Sequence, residues 1–87
     1  MESIKAHLFY VEDDESLGFV TKDNLELQGY KVSHFADGKS AIENLKSDKY
    51  NLFILDVMLP EADGFTIAEE IRKYDTETPI LFLTAKS

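Results

Sequence analysis

Apolar residues gather in four short runs, His7–Val11, Tyr30–Phe35, Leu52–Leu55 and Ile80–Leu83, each of strand length. The first, third and fourth are nearly continuous, the pattern of strands covered on both faces. The second alternates, as an edge strand does. Helical spacing fills the gaps between them. Glu15 to Gln28 places Leu17, Val20, Thr21, Asn24 and Leu25 on one stripe, and Gly29 stands where a left-handed C-terminal cap belongs. Asp37 is a suitable N-cap for a helix from Gly38 to Lys46, which carries Ala41, Ile42 and Leu45 on one face. Gly64 to Tyr74 carries Ile67, Ala68 and Ile71, and Thr78-Pro79 then breaks the chain before the fourth run. The order β-α-β-α-β-α-β predicts parallel βαβ units with right-handed crossovers, so that helices cover both faces of one sheet.

Length and composition narrow the function classes. Eighty-seven residues allow one domain, and 44% hydrophobic with 30% charged residues is the balance of a globular chain. The net charge of −8, from 17 acidic against 9 basic residues, predicts repulsion from phosphate backbones and anionic lipid. Direct nucleic-acid or membrane binding is therefore not expected. With no cysteine, disulfides, thiolate catalysis and cysteine metal sites are excluded. No apolar run is long enough for a membrane span or a signal peptide, and a cytoplasmic location is expected.

In an open parallel sheet, ligands bind outside the carboxyl ends of the strands. Glu12-Asp13-Asp14-Glu15 follows the first strand, Asp56 ends the third, and Thr84-Ala85-Lys86 follows the fourth. If strands one and three are neighbours, Glu12, Asp13 and Asp56 converge. Clustered carboxylates need a proton or a cation. Oxygen-only donors favour a hard ion, Mg²⁺ before Zn²⁺. A carboxylate beside Mg²⁺ can also act as a nucleophile toward a phosphoryl group, with the Thr84 hydroxyl placed to donate to one of its oxygens.

Four segments in this order, Val11-Glu12-Asp13-Asp14-Glu15, Leu55-Asp56-Val57-Met58-Leu59-Pro60, Asp63-Gly64-Phe65 and Leu83-Thr84-Ala85-Lys86, resemble the receiver domain of bacterial two-component response regulators. The Met-Leu-Pro and Thr-Ala-Lys segments are most similar to the branch whose receivers precede a winged-helix DNA-binding domain. The resemblance runs from about Ala6 to the last residue. It implies a flavodoxin-like three-layer α/β fold with strand order 2-1-3-4. It makes Asp56 the phosphoacceptor, served by a sensor histidine kinase. Glu12, Asp13, Asp56 and the Met58 backbone carbonyl would hold Mg²⁺, Asp13 directly and Glu12 directly or through water. Thr84, with Ala85, would contact the phosphoryl group and report its presence, while Pro60 and Gly64 shape the loop beside the site.

The chain also departs from the family pattern. Receivers have a fifth strand bearing a Lys that contacts the phosphoryl group and an aromatic that moves with the Thr. Residues 1–87 read as a single receiver domain truncated after its fourth strand, without the fourth helix, fifth strand, fifth helix or that Lys. Lys86 matches a loop position and is no replacement. Impaired phosphorylation is then expected, with no catalytic activity of an enzyme. Apolar side chains among Phe53, Leu55, Leu81 and Leu83 would be left bare, predicting a weakly folded monomer and self-association through the fourth strand or the bare face. Tyr10 stands where the family has an aliphatic residue, so its hydroxyl needs a partner. Asn51 stands where an Asp is common.

Plainer readings compete at several positions. Asp14 and Glu15 read as favourable charges at a helix start. His7 and His34 read as ordinary strand residues away from any carboxyl end. An EF-hand lacks its ligand spacing. The alternative function is a receiver-derived self-association module that does not switch. An aspartate-nucleophile phosphatase ranks last, because the general acid it needs two residues after the nucleophile is here Met58.

Overall fold

Strands and helices alternate along the chain as β1 (His7–Val11), α1 (Glu15–Leu27), β2 (Lys31–Phe35), α2 (Gly38–Glu43), β3 (Leu52–Asp56), α3 (Gly64–Arg72) and β4 (Ile80–Leu83). The computed structural model describes residues 3–59 and 63–83. The strands form one parallel sheet, as the βα rhythm predicted, in the order β2-β1-β3-β4 that the resemblance implied. β1 and β3 are therefore neighbours, with Val11 opposite Leu55, and their carboxyl ends lie side by side.

Strand periodicity divides the core into two layers. Phe9, Val11, Phe53 and Leu55 point to one face and pack against Ala41, Leu45, Ile67 and Ile71 of the α2 and α3 segments. Leu8, Tyr10, Val32 and Ile54 point to the other, where Leu25 of α1 and Leu83 join them. This corrects the expected bare set. Phe53 and Leu55 are buried under α2 and α3. Leu81 pairs with Ile54 and so lies on the α1 face, where it is half exposed. A one-residue difference in position decides the face, and β4 stands at one edge of the described sheet.

Each helix starts on an aspartate that accepts a backbone N–H: Asp14 from Leu17 at 3.0 Å, Asp37 from Ser40 at 2.7 Å and Asp63 from Thr66 at 2.8 Å. Gly29 ends the α1 segment with φ of 103°, the left-handed conformation its position suggested. Two helices are shorter than their apolar spacing implied. α2 stops at Glu43 because the Asn44 amide folds back to donate to the Ser40 carbonyl at 2.8 Å, although Leu45 beyond it stays in the core. α3 stops at Arg72, and the Tyr74 hydroxyl reaches across to donate to the Leu45 carbonyl at 3.1 Å.

The stripe expected on α1 is also revised. Leu17 and Val20 are half exposed, and the buried position of α1 is Gly18. With no side chain there, the helix approaches β2 closely enough for His34 to fill the space. At the opposite end of the sheet, Asn51 ties β1 to the start of β3. Its Oδ1 accepts the His7 N–H at 2.7 Å, and its own N–H donates to the His7 carbonyl at 2.8 Å.

Candidate functional site

The acidic residues come together because two neighbouring strands end at the same level. Glu12 follows β1 and Asp56 is the last residue of β3, and both are buried, at 8% and 7% exposure. Asp13 is exposed beside them. Carboxylate oxygens of Glu12, Asp13 and Asp56 all lie within 4.8 Å of one another. At that spacing each like-charged pair repels by on the order of 3 kcal/mol at an effective dielectric of about 20. Three all-oxygen donors at the mouth of a cleft suit a hard divalent cation, which would remove that repulsion. The cleft, of about 680 Å³, is lined by Tyr10, Leu17, Thr21, Met58 and Leu83 in addition to the carboxylates.

Local bonds orient each acid. The Met58 N–H donates to Asp56 Oδ1 at 2.9 Å, so the chain leaving β3 holds one carboxylate oxygen and leaves the other for a cation or an electrophile. Glu12 Oε2 accepts the Asp14 N–H at 3.1 Å. Burial pushes the Glu12 carboxyl above the usual range, and the neighbouring charge of Asp56 adds to this, while the Asp14 N–H opposes it. The Tyr10 phenol is likewise raised by burial and then by the carboxylates. Thr21 lines the same cleft, and its side chain works against this rise.

Gly64, the first residue of α3, is buried directly behind Asp56. A Cβ there would stand 2.6 Å from the Asp56 carbonyl oxygen, so the helix can pack against the end of β3 only without a side chain at this point. Met58 lies on the rim of the cleft with an exposed side chain. Pro60, Thr84 and Ala85 lie outside the described residues. No Lys or Arg lines the cleft among the described residues.

His34 was misread from the sequence. It is the penultimate residue of β2, opposite Tyr10, and therefore does lie at a carboxyl end. Its Nε2 is 2.8 Å from the Glu12 carbonyl oxygen, and its ring lies 5.3 Å from that of Tyr10. A histidine one position short of a strand end was the available signal, but only the β1–β2 register brings it beside the acids.

Comparisons with known proteins agree with this geometry. The sequence profile described as "Response regulator receiver domain" matches residues 8–87. The transcriptional regulatory protein RprY of Bacteroides fragilis is 41% identical over 83 residues, 95% of this chain and 35% of that protein. The response regulator TrrA of Thermotoga maritima, solved in complex with Mg²⁺–BeF, superposes with a TM-score of 0.85 at 32% identity, covering 93% of this chain and 70% of that one. TrrA has also been solved in complex with the histidine kinase ThkA, with a TM-score of 0.84, 32% identity and the same coverage. The chain spans about a third of the length of the curated relatives it matches. Among the described residues no helix is long and apolar enough to cross a membrane. With its strand order, its acidic cluster and a family match over nearly its whole length, the chain belongs to the response regulator receiver domain family.

Proposed function

We propose that Asp56 is the phosphoacceptor of a two-component signalling protein, loaded by a sensor histidine kinase. The observation that carries this is the convergence of Glu12, Asp13 and Asp56 at the carboxyl ends of β1 and β3, with Asp56 Oδ1 fixed by the Met58 N–H. In the reaction the free oxygen of Asp56 attacks phosphorus and forms an acyl phosphate. The phosphorus–nitrogen bond of the donor phosphohistidine breaks, and the electron pair leaves with the imidazole. Glu12, Asp13, Asp56 and the Met58 backbone carbonyl would hold Mg²⁺, which when bound neutralises charge on the transferring oxygens. Thr84, with Ala85, would then contact the phosphoryl group, and Pro60 and Gly64 would shape the adjoining loop. In the longer proteins this chain resembles, such a signal would control a separate DNA-binding domain. The complex of TrrA with ThkA and the regulator RprY support that assignment by similarity.

Incubation with acetyl phosphate and Mg²⁺ followed by intact mass tests the proposal. A single phosphoryl adduct is expected, lost in Asp56→Asn. An adduct that survives that substitution would overturn the assignment.

Self-association is a second reading, favoured by the exposed apolar surface of β4. Leu81 is 50% exposed on one face, and on the other Phe82 stacks on Phe65 of α3 at 4.8 Å between ring centroids. Sedimentation velocity across a hundredfold range of concentration tests it. Invariant monomer would dismiss this reading and leave the first intact.

A further inference from the structure

Behind the acids lies a contact between two elements, α1 and β2, that carry none of the three of them. β1 and β2 are paired to their ends, and the last bond of this ladder runs from the Glu12 N–H to the Phe35 carbonyl at 3.0 Å. β2 then turns away, and the next acceptor on the β1 side, the Glu12 carbonyl, is met by the His34 ring at 2.8 Å. A carbonyl only accepts, so Nε2 carries the proton and donates. The peptide so held is the one between Glu12 and Asp13, and fixing its plane fixes the backbone torsions on either side of it. Those torsions aim the two carboxylates. The ring can occupy this place only because residue 18 on α1 is glycine. A Cβ on Gly18 would overlap the Cε1 and Nε2 atoms of His34.

We infer that His34 is a positioning residue for the metal site: its bond to the Glu12 carbonyl aims the Glu12–Asp13 pair at the cation, and Gly18 is the clearance that lets it do so. Neither residue touches the cation. The inference rests on the reading of Glu12, Asp13 and Asp56 as the Mg²⁺ site. Partners that orient ligands from behind in this way commonly change metal affinity by about tenfold or more.

The test is the affinity of the protein for Mn²⁺, measured from the electron paramagnetic resonance signal of the free ion, with Mg²⁺ as competitor. Thermal melting of each variant runs in parallel. His34→Ala is expected to weaken binding about tenfold. His34→Gln, whose amide can donate to the same carbonyl, should recover most of the loss. Gly18→Ala leaves the imidazole present but displaced and should match His34→Ala. The double variant should be no weaker than either single one. Amide resonances of Glu12 and Asp13 should shift in both single variants and return toward the wild-type position in His34→Gln. Wild-type affinity in folded His34→Ala overturns the inference, as do additive losses in the double variant. If His34→Ala does not fold, Gly18→Ala and His34→Gln decide by the same criteria. Asp13→Asn separates the metal site from the positioning role. Mn²⁺ binding that is absent in wild type, or unchanged in Asp13→Asn, removes the metal site itself. Binding that is lost in Asp13→Asn but intact in the His34 and Gly18 variants removes only the positioning role.

Discussion

Glu12 is expected to act in opposite senses on the free protein and on the protein with Mg²⁺ added. Its carboxyl is buried and faces Asp56, so its folded-state pKa lies above its unfolded one. The stabilisation linked to that group is complete below the ordinary glutamate range and is lost as the pH rises through the raised folded value. At neutral pH, without metal, the ionised form works against folding. Glu12→Gln is therefore expected to melt higher than wild type in the presence of a chelator, and to gain less from added Mg²⁺. Thermal melts with EDTA and with Mg²⁺ check both halves; a lower melting point in EDTA would show that Glu12 is stabilising as it stands. Gly18 likewise carries two opposed effects. In a helix interior, alanine is ordinarily better than glycine by about 0.5–1 kcal/mol. Here that gain is set against displacement of the His34 ring.

At the scale of elements, junctions rather than strands control the site. α3 starts on the Asp63 cap and runs past the end of β3 at Gly64, whose missing side chain clears the Asp56 carbonyl. The Cβ of Gly64→Ala would meet backbone, which cannot swing aside as a long side chain can. Overpacking of this kind costs about 1–3 kcal/mol. Urea denaturation should report a loss in that range, and the Asp56 adduct should form more slowly. Full stability in this variant would mean that the junction has room to relax. The turn between α3 and β4 is organised by Asp75, which accepts from the Glu77 and Thr78 N–H groups at 3.0 Å each and from the Thr78 hydroxyl. These bonds hold the Asp75 carboxyl down at about 2, the Thr78 hydroxyl contributing most. A depressed carboxylate stabilises above its unfolded value and loses that contribution as the pH falls through the folded one. Asp75→Asn should flatten the acid limb of the stability curve between about pH 4 and pH 2, with little change in shape above it. An acid limb of unchanged slope would place that protonation elsewhere.

Across the whole molecule, the two faces of the sheet are unequal. The face under α2 and α3 holds Phe9, Phe53, Leu55, Ile67 and Ile71, all at 2% exposure or less. The α1 face runs out toward β4, where Leu81 is half exposed. Truncation should cost accordingly. Ile67→Ala is expected to lose about 2–5 kcal/mol, the cost of a cavity in a closed core. Leu81→Ala should lose under about 1 kcal/mol, because half of its surface is already wet. Chemical denaturation of the pair measures the contrast. Equal losses would mean that Leu81 is covered in solution, as self-association would cover it.

Element order and the place of the acids follow from local patterning. Nearly continuous apolar runs of four or five residues alternating with helical spacing point to parallel strands, and parallel strands place chemistry at their carboxyl ends. Asp14, Asp37 and Asp63 capped helices because a short acceptor just before an apolar stripe has unpaired N–H groups to meet. Asp56 and the Glu12–Asp13 pair were legible because each stands at the carboxyl end of an apolar run. Distances across the sheet came from the packing alone. The face taken by Phe53 and Leu55, the burial of Gly18 in place of Leu17 and Val20, and the reach of His34 to Glu12 all depend on strand register and on how closely α1 lies to β2. Register is a relation between segments distant in the chain, and a shift of one residue reverses every side chain on a strand. Local patterning therefore found the acids, while the packing of α1 on β2 brings His34 to the Glu12 carbonyl behind them.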